Sequence, residues 1–312
     1  MQTTGKAVQP SLVSKKKPKK EWVLFWMILP WFLWTIVMNY VPIAGWAYAF
    51  IDFRLGKSVF QSEFVGLDNF RLMFSSISRL PRAFRNTLIP SLLGLATSWL
   101  PIAFAILLNE LPSVKYRKGV QTLTTIPNFI SWVMVFGMVV ALFSTDGAVN
   151  VWLVRLGVIE KATYSILNDV NRAWTLQLVM GIWKSIGFSA IIYLASIAGI
   201  DQELYDAAMV DGANRFRRIW HITVPGVMPT FLVQTILGIG NFLNAGMDYP
   251  LIFGSPITTP KLENIGLYSY NLFKNSDYSF GIALGIVQSL IAIILLSLAN
   301  LLAKKVRGES IV

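Results

Sequence analysis

Residues 206–225 read DAAMVDGANRFRRIWHITVP and lie between two long apolar segments. The stretch is polar, carries three arginines and centres on a single glycine. Connections between membrane helices rarely need about 20 residues, so this one predicts a structure of its own. Asp206 begins a helix-compatible run, Gly212 permits a turn that a side chain would obstruct, and residues 214–220 predict a second short helix. We therefore expect a helix, a glycine turn and a second helix lying across a membrane surface.

Two roles fit these residues on physical grounds alone. Ala207, Val210 and Ala213 fall three apart and form an apolar stripe, and small side chains let another backbone come close. Such a stripe suits an amphipathic helix that lies on lipid. It equally suits a helix that docks on a cytoplasmic partner.

The composition indicates an integral membrane protein. Of 312 residues, 54% are apolar and only 14% charged, against about 25% charged in soluble domains. The net charge of +11 favours an asymmetric membrane topology rather than nucleic-acid binding. The chain has no cysteine, so it can form no disulfide and no thiolate metal site. Its one histidine, His221, gives little support to a histidine-based triad. We expect no catalytic or metal-binding residues.

Six apolar runs are long enough to span a bilayer, since a span needs about 20 residues. They are predicted at residues 22–50, 86–109, 120–143, 174–199, 225–245 and 279–303. Basic residues at 15–20 in the tail 1–21, and at 304–307 in the tail 304–312, predict that both ends are cytoplasmic. The bias is modest because the outer segment 51–85 carries six basic residues. This topology places the loop 201–224 in the cytoplasm.

Polar side chains inside the spans are candidates for a substrate pathway, because they are costly in lipid. Lys184 is predicted either to line a cavity or to pair with a neighbouring helix. Asn241 and Asn244 are three apart, which predicts a shared face of the fifth span. Asn128 and Trp132 are four apart on the predicted third span, and Phe188 is four residues after Lys184. Helix packing and interhelical hydrogen bonds remain the alternative for all six residues.

The opening stretch resembles the EAA loop of ABC importer permeases. That loop has Glu-Ala-Ala, three residues, glycine, nine residues and then Ile-x-Leu-Pro. This chain has DAA at 206–208, three residues, Gly212, nine residues and ITVP at 222–225. The spacing agrees throughout, with aspartate in place of glutamate and valine in place of leucine.

Further stretches resemble the oligosaccharide and polysaccharide branch of the sugar permeases, which includes the LplB type and permeases for alginate and pectin fragments. They are YVPIAGWAYAF (40–50), FVGLDNF (64–70), RNTL (85–88), IPNFISWV (126–133), DGAVN (146–150) and IDQELYDAA (200–208). The resemblance implies an all-α integral membrane protein with the type I ABC importer permease fold: six transmembrane helices and a cytoplasmic coupling helix.

The resemblance also implies the partners and the site. These are a second, similar permease subunit, two cytoplasmic ATPase subunits, an extracytoplasmic binding protein and an oligosaccharide, in a bacterial cell membrane. The chain lacks a G-x-x-x-x-G-K-[S/T] loop, so ATP and magnesium are expected on the ATPase subunits and no cofactor on this chain. The residues implied for ATPase coupling are Asp206, Ala207, Ala208, Asp211, Gly212, Arg215 and Phe216.

Sugar-lining positions of the related maltose permease map to Asn128, Trp132, Lys184, Phe188, Asn241 and Asn244. The two asparagines at 241 and 244 keep the family's residue type, and the other four differ. The sequence thus predicts a transport subunit with no bond chemistry of its own. The alternatives are a permease of the same class for another solute and a stand-alone membrane transferase, whose faint candidate pair would be His221 with Asp211.

Overall fold

The computed structural model describes residues 19–54, 56–75, 79–159, 165–244 and 246–307. Residues 1–18 and 308–312, which hold most of the two predicted tails, lie outside the described residues. The described chain falls into two compact units, residues 1–47 and residues 48–312. In the first unit, helix α1 (Lys19–Tyr40) is apolar along its length and contains Pro30. Proline is tolerated in membrane helices because neighbouring groups satisfy the carbonyl that it leaves unpaired.

The regular secondary structure of the described residues of the second unit is helical, apart from an isolated bridge between Ile51 and Phe64, and turns and loops join the helices. Their α-helices are α2 (Asp68–Met73), α3 (Leu80–Ala96), α4 (Leu100–Asn109), α5 (Val114–Thr125), α6 (Trp132–Phe143), α7 (Ala148–Arg155), α8 (Ala173–Ala198), α9 (Gln202–Val210), α10 (Arg215–Arg218), α11 (Val224–Gly240), α12 (Asp248–Phe253), α13 (Thr259–Leu262), α14 (Ile265–Lys274) and α15 (Tyr278–Arg307). Short 3₁₀ turns occupy Val41–Phe50, Val59–Gln61, Ile126–Phe129 and Ile166–Asn168, and a π turn occupies Ile219–Thr223.

Six helical segments of the described chain are long and apolar enough to cross a membrane, which confirms the predicted all-α architecture. They are Trp22–Phe50, Leu80–Asn109, Trp132–Arg155, Ala173–Ala198, Arg215–Gly240 and Tyr278–Leu301. The second segment begins six residues before the predicted position, because α3 extends beyond the N-terminal end of the apolar run. The third differs more: a break at residues 126–131 divides the predicted 120–143 span into α5 and α6.

Helix α8 is the centre of the packing and touches helices on several sides. Gly187 lies against the α5 backbone so closely that a Cβ there would meet the carbonyl oxygen of Thr124 at 2.2 Å. Small residues permit such close approach between membrane helices. One buried cluster joins α8 to α4 and α11 through Ala105, Ala190 and Val227. A second joins α8 to α6 and α12 and holds the buried Tyr249.

A buried carboxylate fixes the segment 246–278 against the start of α3. Glu263 is only 2% exposed, and its carboxylate lies 3.5 Å from Arg82 and 3.9 Å from Arg79. The Asn271 amide donates to the same carboxylate at 3.2 Å. The Asn86 amide donates to the Glu263 carbonyl at 3.0 Å. A charge is stable in such a place only when it is paired and hydrogen-bonded, which these partners achieve.

A second acidic group lies where α14 turns into α15. Burial, and then repulsion from the carboxylate of Asp52, raise the pKa of Asp277 above its ordinary value. The neighbouring loop is fixed by a 3.0 Å hydrogen bond from the Phe53 amide to the hydroxyl of Ser279. This end of α15 therefore holds two carboxyl groups within electrostatic reach of each other.

Candidate functional site

The segment 201–224 folds into the predicted helix and glycine turn. Asp201 caps α9 by accepting a 3.0 Å hydrogen bond from the Glu203 amide. At the other end Gly212 has φ +76°, a left-handed conformation that favours glycine. The Ala213 amide donates to the Ala208 carbonyl at 2.8 Å and the Gly212 amide to Met209 at 3.1 Å. This is the Schellman arrangement, which satisfies carbonyls at a helix end.

The predicted second helix is longer than expected. Asn214 caps α10 by accepting a 2.9 Å hydrogen bond from the Arg217 amide. The π turn at Ile219–Thr223 then leads into α11, so the helix predicted for 214–220 runs unbroken from Arg215 to Gly240. Pro225 does not end it, because proline fits at the first turn and a wider turn relieves the clash with the preceding carbonyl. The second helix of the segment and the fifth membrane span are therefore one continuous helix.

Most of the residues predicted to couple to an ATPase are exposed. Ala208 is half-buried, and the other six, Asp206, Ala207, Asp211, Gly212, Arg215 and Phe216, are exposed. Large apolar side chains accompany them: Val210 is 89% exposed, Phe216 68% and Trp220 56%. Such a concentration of exposed apolar and basic groups on a short ordered segment is characteristic of an interaction surface.

Lys184 does not present a free ammonium group to a cavity. Its Nζ donates to the carbonyl oxygens of Asn128 at 2.8 Å and Pro127 at 3.1 Å, and also to that of Ile130. An ammonium group has three N–H donors, and all three are used. Of the two predicted roles, the structure favours pairing with a neighbouring helix. Phe188, four residues on, is 45% exposed and meets the ring of Phe129 edge to face at 6.1 Å.

Asn128 and Trp132, which are four apart on the predicted third span, do not lie on one helix. Asn128 lies in the 3₁₀ turn and Trp132 begins α6, with Ile130 extended between them. Ser131 starts the new helix by accepting a hydrogen bond from the Met134 amide at 3.3 Å. Trp132 instead packs edge to face on Tyr249 at 5.2 Å.

The two asparagines at 241 and 244 are neighbours, but not on a helix. α11 ends at Gly240, and Asn241 is its C-cap. Asn244 donates a long, 3.5 Å hydrogen bond to Asn241 and accepts one of 3.0 Å from Gln288 of α15. Glycines at 238 and 240 weaken the last turn, which explains why the predicted shared face of a fifth span to residue 245 does not form.

Two cavities, each lined by both polar and apolar residues, adjoin the break between α3 and α4. The larger, of about 390 Å³, is lined by Trp132 and Tyr249 together with Ser98, Gln177 and Asp248. The smaller, of about 270 Å³, is lined by Asn241, Ser98, Gln234 and Thr235. Of the six predicted pathway residues, Trp132 and Asn241 line these cavities, and Asn128, Lys184, Phe188 and Asn244 do not.

Sequence reasoning missed several of these lining residues. Gln177 and Gln234 were detectable, because a polar side chain inside an apolar span is as unusual as the lysine at 184. Asp248 gave no signal, since it lies outside the spans in a loop of mixed composition.

Six helical segments that could cross a membrane, with an ordered, exposed segment between the fourth and fifth, are typical of a membrane-embedded transport subunit. The chain belongs to the family of binding-protein-dependent transport system inner membrane components, whose family model matches residues 102–308. It is thus an integral inner-membrane permease of that family, as the sequence predicted.

Relatives cover almost the whole chain. Protein LplB of Bacillus subtilis is 33% identical over 99% of this chain and 96% of its own length. The polygalacturonan/rhamnogalacturonan transport system permease protein YteP of the same organism is 35% identical over 98% of this chain and 97% of its own. A bacterial ABC transporter for import of the acidic polysaccharide alginate has a chain with 33% identity and a TM-score of 0.83, covering 93% of this chain and 98% of that one. A similar match, also with a TM-score of 0.83, is the alginate transporter in complex with a pentasaccharide-bound periplasmic protein.

Proposed function

We propose that this chain is the transmembrane permease subunit of an ATP-driven ABC importer. Its substrate is an oligosaccharide or polysaccharide fragment, delivered by an extracytoplasmic binding protein and moved by alternating access. The likeness to the polygalacturonan/rhamnogalacturonan permease and to the alginate importer supports the substrate class. The observation that carries the proposal is the exposed, ordered segment around Gly212, which presents Val210, Phe216 and Trp220 at its surface.

The partners follow from this function. A second, similar permease completes the pathway, and two ATPase subunits bind ATP and magnesium, while this chain binds no cofactor. Both chain ends and the segment 201–224 face the cytoplasm, where the ATPases lie. The positive-inside distribution of lysine and arginine supports this orientation.

The geometry suggests how this chain passes motion into the membrane. The helix from Arg215 to Gly240 has 26 residues and is therefore about 39 Å long at about 1.5 Å per residue. Its N-terminal end belongs to the segment 201–224, hereafter the docking segment. Its C-terminal end is followed by Asn241, which lines the smaller cavity. A 2.9 Å hydrogen bond between the hydroxyls of Tyr205 and Thr223 ties α9 to this helix. Displacement of α9 by a partner is thus passed along this helix to the wall of the cavity, whose shape changes with it.

Affinity purification of this chain from its native membrane in mild detergent, with mass spectrometry, tests the proposal. We expect a second six-span permease and an ATPase to copurify. Val210→Lys places a charge in the docking segment and should release the ATPase while retaining the permease. Val158→Lys is the matched control, because Val158 is also an exposed valine, at 64%, but lies outside the docking segment. Recovery of the chain alone, under conditions that hold a known ABC importer together, would contradict the proposal.

A further inference from the structure

The larger of the two cavities has a lining suited to a sugar ring. Its volume of about 390 Å³ lies within the range of about 300–1,000 Å³ for ligand pockets. Trp132 and Tyr249 supply an aromatic wall. Within the described part of the chain, the side chains of Ser98, Gln177 and Asp248 make no hydrogen bond, so their polar atoms remain available to a ligand.

The smaller cavity lies beside the larger one. Gly94 and Ser98 line both cavities, which therefore adjoin each other at the break between α3 and α4. In the smaller one the Thr235 hydroxyl is buried and finds no partner among the described residues. Buried hydroxyls are normally hydrogen-bonded, so this unpaired group is an exception among the residues that line the cavity. The two adjoining cavities offer places for more than one ring of an oligosaccharide.

The charged residues that line or surround the cavities indicate whether a neutral or an acidic sugar fits there. Asp248 lines the larger cavity, and no lysine or arginine among the described residues lines either one. Lys184, whose Nζ lies 5.6 Å from the centre of the Trp132 ring, has its three N–H groups occupied by backbone carbonyls. It therefore has no donor free for a ligand carboxylate.

Other basic side chains near the segment 246–278 are also engaged elsewhere. Arg79 and Arg82 lie beside Glu263, and Arg85 and Lys261 lie over the Trp174 ring at 5.9 Å and 3.8 Å. None of the four lines a cavity. Carboxylate recognition in proteins relies on charge-assisted donors, which these cavities do not offer.

We infer that the larger cavity binds an uncharged sugar ring, with Asp248 accepting hydrogen bonds from its hydroxyls and Trp132 packing on its apolar face. This inference rests on the proposed function and narrows its substrate class. The unit held here is a neutral sugar rather than a uronic acid, in contrast to the acidic polysaccharide named for the alginate importer.

Cysteine labelling tests the charge of the cavity without knowledge of the substrate, because the chain has no cysteine of its own. Gln177→Cys is labelled in permeabilised membranes with cationic and anionic methanethiosulfonate reagents of similar size. We expect Asp248→Asn to lower the cationic-to-anionic rate ratio several-fold, because the exposed Asp248 carboxylate attracts a cationic reagent and repels an anionic one at short range even in contact with water. Asp68→Asn, which removes an exposed carboxylate outside both cavities, should leave the ratio unchanged. A cationic-to-anionic rate ratio that is the same with and without Asp248→Asn overturns the inference.

Uptake by cells with and without this chain tests the substrate class. The probes are neutral trisaccharides of arabinose, glucose and rhamnose, and trigalacturonate. We expect chain-dependent uptake of a neutral trisaccharide, with a half-saturating concentration raised about tenfold by Asp248→Asn through loss of a charge-assisted hydrogen bond. Chain-dependent uptake of trigalacturonate that Asp248→Asn leaves unchanged overturns the inference and leaves the importer function standing. Absence of chain-dependent uptake of every probe overturns both.

Discussion

The ammonium group of Lys184 donates a 2.8 Å hydrogen bond to the carbonyl oxygen of Asn128, and so joins the fourth span to the break in the third. Inserting a lysine at the centre of a membrane helix costs about 2.5–3.5 kcal/mol. The break between α5 and α6 carries its own cost, because its carbonyls lose their helical partners in a medium without water. The lysine and the break stabilise each other, because the three N–H groups of Lys184 donate to three carbonyl oxygens of the break.

Lys184→Met should therefore destabilise the break while preserving the length of the side chain. Leaving the carbonyls without donors should cost about 1–3 kcal/mol, so the thermal unfolding midpoint in detergent should fall. Lys184→Arg should recover only part of the loss, because the planar guanidinium does not direct three N–H groups at one cluster of carbonyls. Tryptophan fluorescence during heating measures the unfolding midpoints of both variants.

Ser185→Ala is the control for this prediction. It changes the next residue of α8, whose hydroxyl bonds the Gly181 carbonyl of its own helix at 2.8 Å, and should leave the midpoint nearly unchanged. Equal midpoints for Lys184→Met and the unchanged chain would show that the break holds without the lysine.

The break also explains where sequence reasoning succeeded and where it stopped. Six spans and the turn at Gly212 were predictable because they depend on local properties, namely apolar length and the glycine conformation. The break at 126–131 was not, because Pro127 and Ser131 are both tolerated within a span. It depends on Lys184, which lies more than fifty residues later in the chain.

The same distinction holds for the candidate site. The exposed segment around Gly212 was predictable from its spacing, since that spacing is contained within one short stretch. The larger cavity combines Ser98, Gln177 and Asp248 from three separate parts of the chain. Only tertiary packing brings such residues together, so spacing within one helix could not show that Trp132 packs on Tyr249.

Glu263 should be the main stabiliser of the segment 246–278. Glu263→Gln keeps the shape of the side chain and removes its charge, so Arg79 and Arg82 lose their partner. Hydrogen bonds to charged groups contribute about 1.5–3 kcal/mol. We expect a loss near the lower end, because the arginine side chains are 63% and 41% exposed and solvent screens the pairs. Thermal unfolding in detergent measures the loss.

The exposed pair of Arg71 and Asp68 provides a matched comparison for Glu263. Their side chains are 80% and 62% exposed at a separation of 3.2 Å. Surface pairs contribute about 0–1 kcal/mol, so Asp68→Asn should change the midpoint little. If Asp68→Asn and Glu263→Gln have equal effects, burial of the Glu263 carboxylate is not what stabilises this segment.

Asp277 should make stability depend on pH. Burial, and secondly Asp52, raise its pKa in the folded state above the ordinary value of 3.8. The folded state thus holds a proton that the unfolded state has lost, and stability falls as pH rises from 3.8 through the raised value. Asp277→Asn should stabilise the protein at pH 7, and this gain should disappear at pH values below the ordinary pKa. Unfolding midpoints across this pH range measure the effect.

Asp52→Asn separates the two causes of this shift. It removes the repulsion and leaves the burial, so it should give part of the gain of Asp277→Asn. Burial is the larger cause, and the greater part of the gain should therefore require the change at 277. A stabilisation by Asp277→Asn that is the same at every pH would have a cause other than titration.

Gly212 should determine whether the docking segment transmits motion. An added Cβ meets no atom within 4 Å, so any effect of substitution comes from φ +76° alone. The left-handed conformation costs most residues about 1–2 kcal/mol, asparagine tolerates it better, and a β-branched side chain is the least suited. Gly212→Val should therefore disorder the end of α9 and uncouple ATP hydrolysis from uptake, Gly212→Asn should retain most coupling, and Gly212→Asp should fall between them. The measurement is ATP hydrolysed per sugar imported by the reconstituted assembly, with insertion of each variant checked in membranes. Normal coupling in Gly212→Val would mean that the turn is not needed for transmission.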